Sequence, residues 1–108
     1  MTRRLRAHLE QQTDAAGRRF EIVDLPAPAT LRDDEGFVDW SYVNHLVTND
    51  GVVACGFGDE QADAAARAIL ADVYPGRRVV TVDARPLFDR GGGIHCITQQ
   101  QPSVGVPA

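Results

Sequence analysis

The sequence predicts an α/β fold built on a β-hairpin, an amphipathic helix and a valine-rich strand, in that order. Two strand-forming runs on either side of the turn sequence Asn-Asp-Gly at residues 49–51 indicate the hairpin. Apolar residues then recur at helical spacing between residues 62 and 73, which is typical of one buried helix face. The valine-rich run at residues 77–84 favours a strand buried on both faces. A chain of 108 residues is long enough for one domain.

The first predicted elements are a helix and a strand. Residues 2–12 place Leu5 and Leu9 one helical turn apart, and Gly17 is predicted to end this helix. Residues 20–25 are rich in apolar strand formers and are predicted to form a strand. A polar loop follows, and its acidic tip consists of Asp33, Asp34 and Glu35.

The hairpin strands are predicted at residues 41–49 and 52–57. Asp59 is predicted to cap the helix that follows, and the pair Pro75-Gly76 is predicted to end it. The last elements are a central, buried strand at residues 77–84, a loop, and a short strand at residues 94–98.

The order of elements predicts a repeat architecture. Hairpin, helix and strand make one complete unit, and the helix and strand before it resemble the end of another such unit. The chain is therefore expected to be a fragment of a larger repeat.

Composition excludes several classes of partner. A net charge of −4 and a pI of about 5.2 argue against nucleic acid or an anionic membrane. The basic start of the chain precedes no apolar stretch of the kind that a signal peptide or a membrane span needs, so a cytoplasmic location is expected. The two cysteines, Cys55 and Cys96, make neither a disulfide framework nor a metal-site spacing.

Cys96 follows three consecutive glycines, which allow the backbone to pass close to a ligand. An accessible cysteine with a stabilised thiolate is a nucleophile, whereas a cysteine within a strand is often simply buried. His95 is adjacent, but neighbouring side chains on a strand point to opposite faces, so a structural role is predicted for it. Nothing in the sequence ties His45 or His8 to Cys96, and Cys55 is interpreted as a small core residue.

The run "GGGIHCITQQQP" at residues 91–102 resembles the C-terminal signature of the agmatine deiminases of the bacterial peptidylarginine-deiminase type. The segments "SYVN", "FGD" and "PGR", and the stretch "TDAAGRRFEIVDLPAP", fit the same family. The resemblance implies a pentein fold, a five-bladed α/β propeller of ββαβ units. This chain is then a pentein fragment of about one and a half blades, in which residues 1–28 end one blade and residues 37–102 form the final one. Arg90 stands where the family usually carries a first glycine.

The resemblance also implies a reaction. Cys96 is the expected nucleophile, and Gly92 and Gly93 are expected to bind substrate. The thiolate attacks the guanidinium carbon of agmatine, and the products are ammonia and N-carbamoylputrescine, an intermediate of putrescine biosynthesis. No metal and no organic cofactor is expected. The acid–base histidine and the guanidinium-binding carboxylates lie on earlier blades of the family, so the isolated chain is expected to be inactive.

Several other polar residues lie in the predicted loops and in the hairpin. The acidic tip at residues 33–35 is predicted to be a solvated loop. Asn44 and Tyr42 lie on the predicted hairpin and could line a pocket, but packing within the strand is favoured for both. Gln99 and Gln100 have no derivable chemical role. Two alternatives stay open: a non-catalytic pentein module acting in binding or oligomerisation, and another guanidine-modifying pentein such as an arginine or peptidylarginine deiminase. The expected partners are a small cationic guanidine and either the remaining blades or a second copy.

Overall fold

The computed structural model describes residues 2–105 and shows a mixed α/β architecture. The helices are α1 (Arg3–Glu10), α2 (Glu60–Val73) and α3 (Arg85–Phe88), and the strands are β1 (Arg32–Asp33), β2 (Gly36–Phe37), β3 (Leu46–Val47), β4 (Gly51–Gly56) and β5 (Arg78–Asp83). A three-stranded sheet has the order β3-β4-β5, in which β4 pairs antiparallel with β3 and parallel with β5. The predicted hairpin-helix-strand unit is confirmed as β3, β4, α2 and β5.

The first helix is confirmed, but Gly17 does not end it. The Thr2 hydroxyl accepts a hydrogen bond from the Leu5 backbone N–H at 3.3 Å, and α1 ends at Glu10. Gly17 instead lies in a separate tight turn with φ +79°, where its N–H donates to the Asp14 carbonyl at 3.0 Å. A left-handed φ of this kind suits glycine because it has no Cβ.

The predicted strand at residues 20–25 is not formed. This segment runs without a hydrogen-bonded strand partner in residues 2–105, and Phe20 and Val23 are each 48% exposed. An ion pair between Arg6 and Asp24 ties the segment to α1. Strand propensity reflects packing against neighbours, so an apolar run with no neighbouring strand stays irregular.

The polar loop after it contains a short antiparallel pair that the sequence did not predict. Strands β1 and β2 pair Arg32 with Phe37, and the Asp33 carboxylate accepts hydrogen bonds from the Glu35 and Gly36 backbone N–H groups. An aspartate that bonds its own backbone in this way stabilises a turn. The acidic residues are exposed at this turn, as predicted for a loop tip.

The first hairpin strand is shorter than predicted. Only Leu46 and Val47 pair with β4, because residues 41–45 form turns instead. The Asn44 N–H donates to the Ser41 carbonyl at 3.3 Å, and the His45 N–H donates to the Val43 carbonyl at 2.9 Å. Asparagine is depleted in strands and favoured in turns, which explains where the strand begins.

Helix α2 and its cap are confirmed. The Asp59 side chain accepts from the Ala62 N–H at 3.0 Å, and the chain leaves the helix through Gly76 at φ +82°. Ala66 and Leu70 are buried, and Leu70 packs in a cluster with Val52 and Ala54 of β4. The predicted apolar stripe therefore fixes α2 against one face of the sheet.

Strand β5 is confirmed, but it is not central or buried. It pairs with β4 along its whole length and lies at the edge of the sheet, where Val80 is 41% and Val82 is 38% exposed. Val79 packs against the cluster that contains Leu70 of α2, and Val80 and Val82 lie on the opposite face of the strand, where they are only partly covered within residues 2–105. The valine run correctly predicted a strand. The burial of that strand depends on neighbouring elements, which the local sequence pattern does not specify.

The segment after β5 also differs from prediction. Residues 85–88 form the short helix α3 with a proline in its first turn, and residues 95–97 form a 3₁₀ turn rather than a strand. The Thr98 N–H closes this turn on the His95 carbonyl at 3.1 Å. The glycine run before it includes Gly91 at φ +95°, a left-handed conformation that interrupts an extended strand.

An aromatic cluster forms the core between the sheet and these turns. Phe57 lies at its centre, stacked on Trp40 at 5.1 Å and in edge contact with Tyr42 and Phe88. Such pairs add about 0.5–1.5 kcal/mol each beyond the area they bury. The cluster joins the turn at residues 41–45 to α3 and so supports the loop that carries Cys96.

No helix among residues 2–105 is long and apolar enough to cross a membrane.

Candidate active site

Cys96 lies on the 3₁₀ turn with its thiol free and exposed. It lines an open cavity of about 380 Å³. The other lining residues come from the segment before β3, from α3, from the glycine run and from the 3₁₀ turn itself, namely Asp39, Ser41, Val43, Asn44, Phe88, Gly91, Gly92 and His95. The chain thus presents the predicted nucleophile in a concave site rather than inside a strand.

Asn44 is the side chain in direct polar contact with the Cys96 sulfur. Its amide nitrogen donates to Sγ at 3.2 Å, and its amide oxygen accepts from the His95 backbone N–H at 2.8 Å. Of the two roles considered for Asn44, the favoured one, packing within a strand, was wrong, because residues 41–45 do not continue the strand. The other role, lining a pocket, is confirmed. An asparagine within a run of strand formers was the available signal, since asparagine is depleted in strands.

The glycines predicted to bind substrate lie directly against these two side chains. A Cβ placed on Gly93 would fall 2.5 Å from the Asn44 Cγ, and one placed on Gly92 would fall 3.1 Å from the Cys96 Cβ. Gly93 is buried, so its missing side chain makes room for Asn44. Their role in substrate binding stays a prediction.

The environment of Cys96 favours the thiolate. Hydrogen bonds from the Asn44 side chain and from the Gly93 backbone lower the pKa of the Cys96 thiol, while slight burial and the charge of Asp39 oppose them. The thiolate is the nucleophilic form of cysteine, and a lowered pKa populates more of it at neutral pH. An exposed, stabilised thiolate in a cavity can attack an electrophilic carbon.

Cys55 is a core residue, as predicted. It is 1% exposed on β4, and its thiol donates to the Asn44 backbone carbonyl at 2.9 Å. Burial raises the pKa of the Cys55 thiol, partly offset by a hydrogen bond from the Ile94 backbone. The Cys55 thiol therefore stays protonated at neutral pH. It lies beneath the site and contacts the backbone of Asn44 and of Ile94.

The histidines occupy three different settings. His95 is exposed and lines the same cavity as Cys96, and the opposite-face argument for its structural role was wrong because residues 95–97 are not a strand. His45 contacts the Tyr42 carbonyl at 2.9 Å and the Tyr74 hydroxyl at 3.2 Å, which fits a structural role. His8 is exposed on α1.

A second cavity of about 230 Å³ adjoins the Cys96 cavity and shares Asp39 and Phe88 with it. Asp33 and Glu35 of the acidic turn line this second cavity, together with Asp89. The exposed acidic turn therefore lines a cavity next to the one that Cys96 lines. No cluster of three or more metal-ligating side chains occurs within residues 2–105. Gln99 and Gln100 are exposed and line neither cavity.

Comparison with known proteins places these features in a family. A curated protein of Streptomyces coelicolor, provisionally named an agmatine deiminase, is 56% identical over 95 residues, covering 87% of this chain and 28% of its own length. The agmatine deiminase of Pseudomonas putida is 40% identical over 113 residues, covering 88% of this chain and 30% of its own length. The chain thus spans about three tenths of the curated relatives it matches.

Solved structures agree with the sequence relatives. The agmatine deiminase of Enterococcus faecalis superposes with a TM-score of 0.79 at 32% identity, covering 91% of this chain and 31% of its own. The α/β pentein fold expected from the resemblance is confirmed, present here as part of the fold and not as a closed propeller. The sequence model of the Porphyromonas-type peptidyl-arginine deiminases matches residues 1–102. With its exposed Cys96 and its ββαβ unit, this chain belongs to that deiminase family.

Proposed function

We propose that this chain supplies the nucleophile of an agmatine deiminase. In this proposal residues 37–102 form a terminal pentein blade that carries Cys96, and residues 1–28 belong to the blade before it. The overall reaction converts agmatine and water to ammonia and N-carbamoylputrescine. The latter product is suited to putrescine biosynthesis. The observation that carries the proposal is the exposed Cys96 thiol. Its Sγ accepts a hydrogen bond from Nδ2 of Asn44 at 3.2 Å, beside Gly93.

The chemistry proceeds in two steps. The Cys96 thiolate forms a bond to the guanidinium carbon, a proton is delivered to one amino group, and ammonia leaves as its C–N bond breaks. Water then attacks the resulting amidino-thioether carbon, and the C–S bond breaks to return the thiolate and release N-carbamoylputrescine. Of the two protons that water loses, one replaces the proton delivered in the first step and the other protonates the released ammonia. Covalent catalysis of this kind replaces one difficult substitution with two easier ones.

The other requirements point to residues outside this chain. A guanidinium delocalises its charge and is a poor electrophile, so carboxylates must hold it in line with the sulfur. The resemblance assigns those carboxylates and the acid–base histidine to earlier blades. The relatives are more than three times as long as their matched segments, which leaves room for those groups.

The exposed edge of the sheet supports the same proposal. Strand β5 has no partner on its outer side within residues 2–105, and its valines are partly exposed. Unpaired strand edges and apolar faces are sites where further structure pairs and packs. We infer that the remaining blades cover this surface in the complete deiminase.

A hybrid deiminase tests the function. It joins the part of the Streptomyces coelicolor relative that precedes its matched segment to residues 1–108 of this chain. We expect the hybrid to release ammonia and N-carbamoylputrescine from agmatine, and the 108-residue chain alone to release neither at a measurable rate. Each missing acid–base group typically costs about 10²–10⁴-fold in rate.

Two results of that experiment would contradict the proposal. A folded hybrid that converts free arginine or peptidylarginine but not agmatine would identify a different guanidine-modifying activity. Ammonia release by the isolated chain would show that His95, or an acidic residue near it, completes the site within this chain.

Selective alkylation provides a test on the chain itself. Cys96 is expected to react with iodoacetamide at neutral pH at least about tenfold faster than Cys55, because only the former is both exposed and stabilised as a thiolate. Mass spectrometry of peptides after brief treatment measures the two rates, and urea-unfolded chain serves as the control in which they converge. Preferential labelling of Cys55 in the folded chain would contradict a preorganised Cys96 site.

A further inference from the structure

We propose that Asn44 is the positioning residue of the Cys96 nucleophile, holding its sulfur with the side-chain amide and the backbone of its turn with the amide oxygen. The functional meaning of this inference rests on the proposed role of Cys96. Its geometry and its test concern the thiol alone. The sequence pattern favours strand packing for Asn44 over lining a pocket, and the deiminase reaction described above does not use this residue.

The two contacts of Asn44 fix its orientation. The His95 backbone N–H is a donor and lies 2.8 Å from Oδ1, so the other side of the amide must face the sulfur at 3.2 Å. That side carries two N–H donors, and a sulfur accepts such bonds far better as a thiolate than as a thiol. Asn44 therefore favours the nucleophilic form of Cys96 and also sets where its turn lies.

Gly93 is shaped to this contact. A Cβ at this position would lie 2.5 Å from Cγ, 2.7 Å from Oδ1 and 2.8 Å from Nδ2 of Asn44. All three distances are too short for real Cβ contacts, so any side chain at residue 93 would displace the asparagine. The third glycine of the run is thus explained by Asn44 and not by a left-handed turn, since its φ is not positive.

Two hydrogen bonds fix the backbone of Asn44. Its carbonyl accepts from the buried Cys55 thiol at 2.9 Å, and its N–H donates to the Ser41 carbonyl at 3.3 Å. A side chain on an anchored backbone loses less entropy when it binds a second group, so the contact with Cys96 is preorganised. Two segments 52 residues apart in sequence are joined at this point.

The groups around Cys96 have opposing effects on the pKa of its thiol. Asp39 lines the cavity and its negative charge raises the pKa of the Cys96 thiol, while the Asn44 and Gly93 hydrogen bonds lower it. His95 lines the same cavity, and Cys55 lies buried beneath it. Removing the Asn44 donor leaves Asp39 unopposed except by the backbone, so the pKa of Cys96 must rise.

The test measures the rate of Cys96 alkylation by iodoacetamide against pH in three variants of the full 108-residue chain. Asn44→Leu keeps the size of the side chain without its polar groups, and Asn44→Asp keeps the acceptor for the His95 N–H while losing the donor. Both are expected to move the midpoint of the pH profile upward and to slow alkylation at pH 7 by about three- to tenfold, the intrinsic gain in nucleophilicity offsetting part of the effect. Asn49→Asp adds the same charge in the exposed hairpin turn and is expected to leave the profile unchanged.

An unchanged midpoint in both Asn44 variants would overturn the proposal, provided that Cys55 stays protected and the chain is folded. Gly93→Ala is expected to reproduce the upward shift by displacing Asn44, whereas Gly105→Ala meets nothing within 4 Å and is the matched control. Should the variants not fold, the side-chain amide signal of Asn44 in the unmodified chain is expected to titrate with Cys96 by NMR, and a pH-independent signal also overturns the proposal. An inactive hybrid deiminase with an intact Asn44 effect would instead locate the failure in the proposed function.

Discussion

Cys96→Ser in the hybrid deiminase is expected to lower agmatine turnover by at least about 10⁴-fold, because a serine hydroxyl at neutral pH is almost never ionised and is a far weaker nucleophile than a thiolate. Within residues 2–105, the side chain hydrogen-bonded to the sulfur of residue 96 is the Asn44 amide, which is not a base. The Asn44 amide donates to this position and cannot remove a proton from a hydroxyl. Ammonia release with agmatine at saturating concentration measures the effect. Binding of agmatine, followed by calorimetry, is expected to persist, since the substitution changes one atom of the site.

Cys55→Ser is the matched control for this substitution. A serine hydroxyl at residue 55 can still donate to the Asn44 carbonyl, so most of the turnover is expected to remain. Equal loss of activity in both variants would show that the effect of Cys96→Ser is structural and that its thiolate is not the nucleophile.

Asp63→Ala is expected to destabilise the 108-residue chain by about 3 kcal/mol, the largest change in the free energy of unfolding that we predict. The Asp63 carboxylate accepts the Tyr42 hydroxyl at 2.6 Å and the backbone N–H groups of Phe57 and Gly58. Tyr42 is 1% exposed, and a buried donor left without a partner costs about 1–3 kcal/mol. Urea denaturation followed by circular dichroism measures the loss, seen as a lower midpoint or as the absence of a cooperative transition.

The control for this substitution is Asp72→Ala, which removes an exposed carboxylate from the same helix. It is expected to change stability by less than about 0.5 kcal/mol. Equal effects of the two substitutions would contradict a specific role for Asp63. Because Asp63 anchors the tyrosine that precedes Asn44 by two residues, its loss is also expected to slow Cys96 alkylation.

The Tyr42 hydroxyl adds a pH dependence to this test. Burial, and then its hydrogen bond to Asp63, raise the pKa of Tyr42 well above its ordinary value. The unfolded chain therefore loses this proton at a lower pH than the folded chain does. The resulting contribution to stability is fully present below about pH 10 and is lost as pH rises beyond it. Tyr42→Phe is expected to flatten this alkaline decline.

The elements that sequence predicted correctly are those with strong local signals. Helix α2 carries its own cap at Asp59, its own apolar stripe and its own end at Gly76, and each of these acts within a few residues. Strands β4 and β5 are likewise marked by β-branched residues and by the turns that bound them. The motif around Cys96 identified the family for the same reason, because it is contiguous.

The wrong predictions fall where structure depends on a partner distant in sequence. Residues 20–25 have strand-forming side chains but no strand beside them, and β5 has valines on two faces but cover on only one. Residues 94–98 have the composition of a strand, yet the glycines before them and the acceptor on Asn44 favour a 3₁₀ turn. Propensity describes what a segment can do, and its neighbours decide which option is realised.

The amino-acid sequence by itself determined the α/β class, the family and the identity of the nucleophile candidate, because each is encoded in residues close together in the chain. Only the tertiary structure decided what surrounds the Cys96 sulfur. The Asn44 amide lies 52 residues away from Cys96 in the sequence. Its position depends both on the space left by the missing side chain of Gly93 and on the hydrogen bond from the buried Cys55 thiol. Local spacing cannot encode such a contact, since a hydrogen bond of about 3 Å is fixed by packing of the whole unit and not by distance along the chain.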